Sequence, residues 1–227
     1  MKYQWNKVEW LLTYSELKAA LLDNLYSEVI GYGFLVDEET KDHKISGRYV
    51  IKNTIKDLMT TPSGDLEEVE RITYSTFEFI IEINKNLSLI LRNPPSSALK
   101  LGSALGRITK NRIVFHSKKI DLEIWIEDIK SQLSDFTLKR IDIIQVPFST
   151  GVSASMTLRG KGELIKSFKT SVVAGKSIIT RADFSFRSEY GIKQSSINNR
   201  CFSTSQDKQT AELLYPILYN SLNKIIV

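Results

Sequence analysis

Eight basic residues, Lys85, Arg92, Lys100, Arg107, Lys110, Arg112, Lys118 and Lys119, lie in a stretch from Ile83 to Ile120 that has no Asp or Glu. Ammonium and guanidinium groups with no carboxylate nearby in sequence must face water or an anionic partner. If several share a face, their chemistry is phosphate neutralisation with release of condensed counterions, which is strong at low salt and weak at high salt. A second basic tract follows from Gly151 to Phe202. It holds Arg159, Lys161, Lys166, Lys169, Lys176, Arg181, Arg187, Lys193 and Arg200 against Glu163, Asp183 and Glu189.

The sign of charge is segregated along the chain. Residues 1–82 carry 9 Lys+Arg against 15 Asp+Glu, and residues 83–227 carry 22 against 11. Such a split supports a surface potential that gathers a polyanion. Phosphate contacts are expected from Arg92, Lys100, Arg107, Lys110, Arg112, Arg181, Arg187, Lys193 and Arg200, with either DNA or RNA as the partner. Along Thr180–Ser188, alternation puts Ala182, Phe184 and Phe186 on a core face and Arg181, Asp183, Ser185 and Arg187 on the other. Glu67, Glu68, Glu70, Glu78 and Glu82 offer an opposite outcome: they either cover the basic part within the chain or dock a basic partner subunit.

Catalytic chemistry has less support. One cysteine, Cys201, and two histidines, His43 and His116, are too few for a Cys/His zinc site or for a nucleophile that relies on a histidine base. Gly175-Lys176-Ser177 ends like a phosphate-binding loop, but Thr170 stands where its first glycine belongs. Gly160-Lys161-Gly162 opens like a dinucleotide fingerprint, but Ile165 replaces the third glycine. A Mg²⁺-dependent nuclease remains as the enzymatic alternative, with Glu163, Asp183, Glu189 and Lys193 as its catalytic candidates. The segment Phe184-Ser185-Phe186-Arg187-Ser188, followed by Gly191 and Ser196-Ile197-Asn198, resembles the strand-and-turn pattern of some HpaII-like restriction endonucleases, with Arg187 in place of the usual lysine. That resemblance implies Mg²⁺ as cofactor; the binding reading implies no cofactor.

The elements that would position these residues read as α+β. Apolar spacing of three and four predicts a helix over Trp5–Tyr26, broken near Thr13-Tyr14-Ser15, where a cap is available. Strands are expected at Val29–Val36 and Arg48–Ile55, joined by the charged segment Asp37–Lys44. Thr61-Pro62-Ser63-Gly64 is a turn signal and the expected boundary between an N-terminal helical and β lobe, residues 1–62, and a mainly antiparallel β core, residues 63–227, with one compact unit as the alternative. A hairpin through Asn84-Lys85-Asn86 is followed by Pro94-Pro95 and a short helix over Ala98–Leu105 with Ser96 or Ser97 as cap. A strand at Arg112–Phe115, a helix toward Leu133, four or five strands from Leu138 to Phe202, and a C-terminal helix from Lys208, capped by Thr204 or Ser205 and carrying Pro216, complete the reading.

The lone cysteine suits a reducing compartment. Met1–Trp5 lacks the pattern of a secretory signal, and no apolar run reaches the ~20 residues that span a bilayer. The expectation is therefore a cytoplasmic, non-enzymatic nucleic-acid-binding protein or subunit of a nucleic-acid-handling complex, with no membrane contact. Further expected partners are a second copy or an acidic protein bound by the basic surface.

Overall fold

A computed structural model describes residues 1–37, 44–83, 85–95, 98–116, 119–160, 162–171 and 177–226. It is α+β, with eleven strands in antiparallel arrangement and five helices among the described residues. The chain divides into two compact units, one formed by Val8–Phe115 and the other by Met1–Lys7 with His116–Val227.

In the Val8–Phe115 unit, α1 (Tyr14–Leu22), β2 (Tyr32–Val36), β3 (Lys44–Thr60), β4 (Leu66–Glu82), β5 (Leu89–Arg92), α2 (Leu99–Ile108) and β6 (Ile113–His116) follow the end of β1 (Lys2–Trp10). The strands run β2-β3-β4-β5 with the end of β1 beside β5. Their common face is aromatic: Phe34, Tyr49, Phe77 and Phe79 pack together with ring centroids 4.8–6.1 Å apart. Leu17 and Leu21 of α1 and Leu101, Ala104 and Leu105 of α2 complete this core. Buried Ser88 ties in β1, its Oγ accepting from Val8 N at 3.2 Å and Trp10 Nε1 at 2.9 Å and donating to the Val8 carbonyl at 2.5 Å.

In the other unit, the start of β1 pairs with β11 (Phe202–Ser205), followed in order by β10 (Gly191–Asn198), β9 (Ile178–Ser188), β7 (Thr137–Ser149) and β8 (Val152–Arg159). Helices α3 (Leu122–Gln132), α4 (Leu164–Ser171) and α5 (Lys208–Ile225) accompany these strands. Trp5 and Trp125 meet edge to face at 6.3 Å, and Tyr215 lies 6.4 Å from Trp5.

Several local expectations change. The predicted first helix is half strand: Lys2–Trp10 is extended, with Tyr3 and Trp5 buried, because aromatic and β-branched residues fit a pleated surface and β11 supplies the ladder. Only its second half is helical, and it begins at the expected Thr13 cap. Helix α4 was not expected. The C-terminal helix is capped by Asp207, whose carboxylate accepts from Thr210 N at 2.7 Å, rather than by Thr204 or Ser205, and Pro216 lies inside it. Helix α2 starts after Ala98, which makes no side-chain cap bond. Ser96, Ser97, Asn84, His43, Lys118, Lys161 and the Gly175-Lys176 turn lie outside the described residues.

The Thr13 cap is a full capping box. Glu16 N donates to Thr13 Oγ1 at 3.2 Å, and Thr13 N donates to the Glu16 carboxylate at 2.8 Å. Arg112 reaches the same carboxylate at 3.0 Å. The Thr13 backbone bond and then the Arg112 guanidinium hold the Glu16 carboxyl down from its ordinary 4.5 to about 2. Its contribution to stability is therefore complete above pH 4.5 and is lost as pH falls toward 2. The melting temperature of a Glu16→Gln variant should fall less between pH 5 and pH 2.5 than that of the wild-type chain; parallel curves would contradict this assignment. Thr13→Ala should cost about 1 kcal/mol in denaturant unfolding at neutral pH.

Candidate nucleic-acid interface

Of the first basic tract, Lys85, Arg92, Lys100, Arg107, Lys110 and Arg112 lie in the Val8–Phe115 unit, and Lys119 lies in the other. In α2 the buried positions Leu101, Ala104 and Leu105 recur at helical spacing, so the opposite face carries Lys100, Ser103 and Arg107 in water. Lys100 and Arg107 are seven residues apart, about 10 Å along the axis. After the helix, Lys110 and Asn111 both adopt the left-handed conformation, with φ of 54° and 58°, and turn the chain into β6 with Lys110 exposed. Among the described residues no carboxylate lies within ion-pair distance of Lys100, Arg107 or Lys110.

Arg107 is nevertheless positioned. Its guanidinium stands 4.7 Å from the centroid of the Tyr32 ring and donates to the Tyr32 hydroxyl at 3.3 Å. A cation over an exposed aromatic face gains about 0.5–1 kcal/mol, enough to favour one orientation while leaving the charge unneutralised. Burial raises the pKa of the neighbouring Tyr49 hydroxyl, and Arg107 pulls it back down. Nothing in the spacing of the sequence pointed to Tyr32, which comes from a strand 75 residues away.

Two further members of this tract are engaged differently. Arg112 is held by Glu16. Arg92, at the end of β5, lines a groove of about 400 Å³ with Lys44, Ser46, Arg48 and Glu78, and its Nε is buried without a hydrogen-bond partner. Arg48, Glu78 and Arg92 stand directly opposite one another on three neighbouring strands.

The second tract lies in the other unit and has its own carboxylates. The expected alternation on β9 holds: Ala182, Phe184 and Phe186 are buried, while Arg181 and Arg187 are exposed. Ser185, on the face with the arginines, is buried as well. Arg181 pairs with Asp183 at 2.8 Å, Arg187 with Asp135 at 2.5 Å, and Lys193 of β10 with Asp207 at 3.5 Å. Arg200 is exposed in the turn before β11. On the same sheet, Asp142 of β7 receives both arms of Arg140 at 2.9 Å and the Thr157 hydroxyl at 2.7 Å. Burial works to raise the Asp142 pKa, and these bonds outweigh it and lower the value. Among the described residues, Arg181, Arg187 and Lys193 of the second tract are thus each paired with a carboxylate, whereas in the first tract Arg112 is paired and Lys100, Arg107 and Lys110 are not.

The carboxylates of the nuclease alternative are spread out. Asp183 is on β9 beside Arg181, Glu189 is in the turn between β9 and β10, and Glu163, before α4, pairs with Lys166 at 3.6 Å. Among the described residues no group of three or more His, Cys, Asp or Glu is placed to hold a metal ion. Cys201 is buried, with a left-handed φ of 59°. A cleft of about 510 Å³ lies between α3, β7 and α4, lined by Ile126, Phe136, Leu138 and Leu164 with Lys130 and Lys166 at its rim.

The fold and this surface define a class: an α+β protein that presents a cationic helix free of carboxylates. No protein-family model matches the chain, and no curated protein is similar to it. Among the described residues no helix is long and apolar enough to cross a membrane.

Asp142 offers a direct check on the interlocked face. Asp142→Asn removes the anion that holds Arg140 and should destabilise the fold by about 1–2 kcal/mol in urea unfolding, since the pair is only partly exposed. An unchanged midpoint would show that this lattice carries no stability.

Proposed function

We propose that this protein binds nucleic acid through the phosphate backbone, with the exposed face of α2 and the turn after it as the principal contact. The observation that carries the reading is that Lys100, Arg107 and Lys110 share one exposed segment and have no carboxylate to pair with among the described residues. Cations already neutralised by an internal partner release few counterions on meeting phosphate, whereas free ones contribute fully. Arg92, Arg112, Arg181, Arg187, Lys193 and Arg200 are then secondary contacts. Arg112, Arg181, Arg187 and Lys193 must each exchange an ion pair to reach a phosphate.

The same contrast supports a binding role without chemistry. Phosphate contacts position a nucleic acid and read no sequence, so the expected behaviour is general binding of DNA or RNA. Ser103 and Asn111 stand among the cations and supply hydrogen-bond donors.

The ranking of the two tracts is testable in a mobility-shift assay at low salt. Lys100→Glu, Arg107→Glu and Lys110→Glu together should weaken binding at least tenfold, while Arg181→Glu with Arg187→Glu should weaken it by a smaller factor. Equal losses would remove the special role of α2, and unchanged binding in the α2 variant would overturn the proposal.

A further inference from the structure

The β3–β4 hairpin extends beyond the body of its unit. β2 pairs with β3 only as far as Ile51, and β5 pairs with β4 only from Glu78. From Thr54↔Ile72 to Thr60↔Leu66 the two strands have only each other, for about 20 Å at ordinary strand rise. This arm is solvated on both faces yet apolar on both. Leu58, Leu66 and Ile72 lie on one face, and Ile55, Met59 and Val69 on the other, with Leu58 69% and Leu66 70% exposed. A two-stranded ribbon in water is marginal by itself, and open strand edges invite pairing. The arm is built to be covered.

Charge decides what covers it. Between residues 54 and 72, Lys56 and Arg71 stand against Asp57, Asp65, Glu67, Glu68 and Glu70, which makes the arm net negative. A nucleic acid would be repelled. Within the arm the ion pairs are Lys56 with Glu68 at 2.5 Å and with Glu70 at 3.4 Å, so one lysine serves two carboxylates and Glu67 is left unpaired among the described residues. The complementary surface must be both basic and apolar. The α2 face has that character: Lys100, Arg107 and Lys110 lie beside exposed Leu99, Val114 and Phe115, and the Phe115 ring reaches α2 at Gly102. The arm needs cover in every molecule, and the partner present in every preparation of the chain is the chain itself.

We infer that the β3–β4 arm of one chain docks on the α2 face of a second copy, reciprocally, and so competes with nucleic acid for that face. The dimer contact stands on the arm and α2 chemistry alone; the competition rests on the nucleic-acid reading. A two-fold arrangement of this kind satisfies both arms and both faces and closes the assembly.

The experiment is light scattering coupled to size exclusion on nuclease-treated full-length protein, so that its outcome is independent of nucleic-acid binding. At low salt the wild-type chain should run at twice 25.9 kDa, and at 1 M salt a rising fraction should run at 25.9 kDa. Replacing residues 56–70 by an Asn-Gly turn, which keeps the Ile55↔Arg71 pair, should give the monomer at low salt. Glu67→Lys with Glu68→Lys should give the monomer too, as should Lys100→Glu with Arg107→Glu. The four substitutions together should restore the dimer, an outcome that a loss of folding cannot produce. A wild-type monomer at low salt, or a dimer that survives both the arm replacement and the charge reversals, would overturn the inference. If the dimer forms as described but arm-shortened protein binds nucleic acid no better than wild type, the competition fails and the contact stands.

Discussion

Burial of Leu101, Ala104 and Leu105 against the aromatic face of β2–β5 is the constraint on which the account depends, because it fixes the rotation of α2 about its own axis. Three apolar residues at helical spacing leave one solution for the opposite side, and that side carries Lys100 and Arg107. The charges are consequences of packing in this sense: turning them away from water would put leucines into it, at about 1.5–3 kcal/mol for each side chain. Tyr32 and the left-handed Lys110-Asn111 turn then set where the flanking cations stand.

The two basic tracts look alike as sequence and differ as structure for a specific reason. In β7 and β9, residues two apart share a face and neighbouring strands bring opposite residues together, so Arg181 meets Asp183 along the strand and Asp142 across it. A strand that alternates cations with anions neutralises itself. In α2 and its flanks there is no acid to bring, and the nearest carboxylate of the unit that reaches in, Glu16, takes Arg112 and no other. The acids of the N-terminal part are spent elsewhere: Glu28 holds Lys52, Glu82 lies 3.8 Å from Lys44, and Glu67, Glu68 and Glu70 ride on the arm. The charge split of the sequence therefore survives within a single unit, as an acidic hairpin and a basic helix.

Much of this was legible before the structure. The α+β class, the alternating core face of β9, the α2 segment after Pro94-Pro95 and the Thr13 cap all follow from local patterns that the tertiary structure reinforces. The failures have physical causes. Val8, Leu11 and Leu12 fit a helical stripe by spacing, and it is the pairing of Lys2, Tyr3 and Gln4 with β11 that draws the first of these segments into a strand. The outer halves of β3 and β4 carry mixed polar and apolar residues on both faces, so they show no period, although they are the most exposed part of the sheet. Thr61-Pro62-Ser63-Gly64 read correctly as a turn, and it turns out to be the tip of the arm: Thr61 N donates to the Asp65 carbonyl at 2.8 Å, and Gly64 has a left-handed φ of 92°. Which cations are free was the part hidden most deeply, since it depends on carboxylates such as Glu16 and Asp135, whose partners Arg112 and Arg187 lie 96 and 52 residues away in the chain.

The central claim is that free cations on one helix face meet phosphates, and counterion release measures their number. Fluorescence anisotropy of wild-type protein with a labelled DNA duplex across salt concentrations should give a log–log slope near −3, since three phosphates neutralised at about −0.9 each amount to roughly that value. A slope close to zero, or no binding at low salt, would contradict the account.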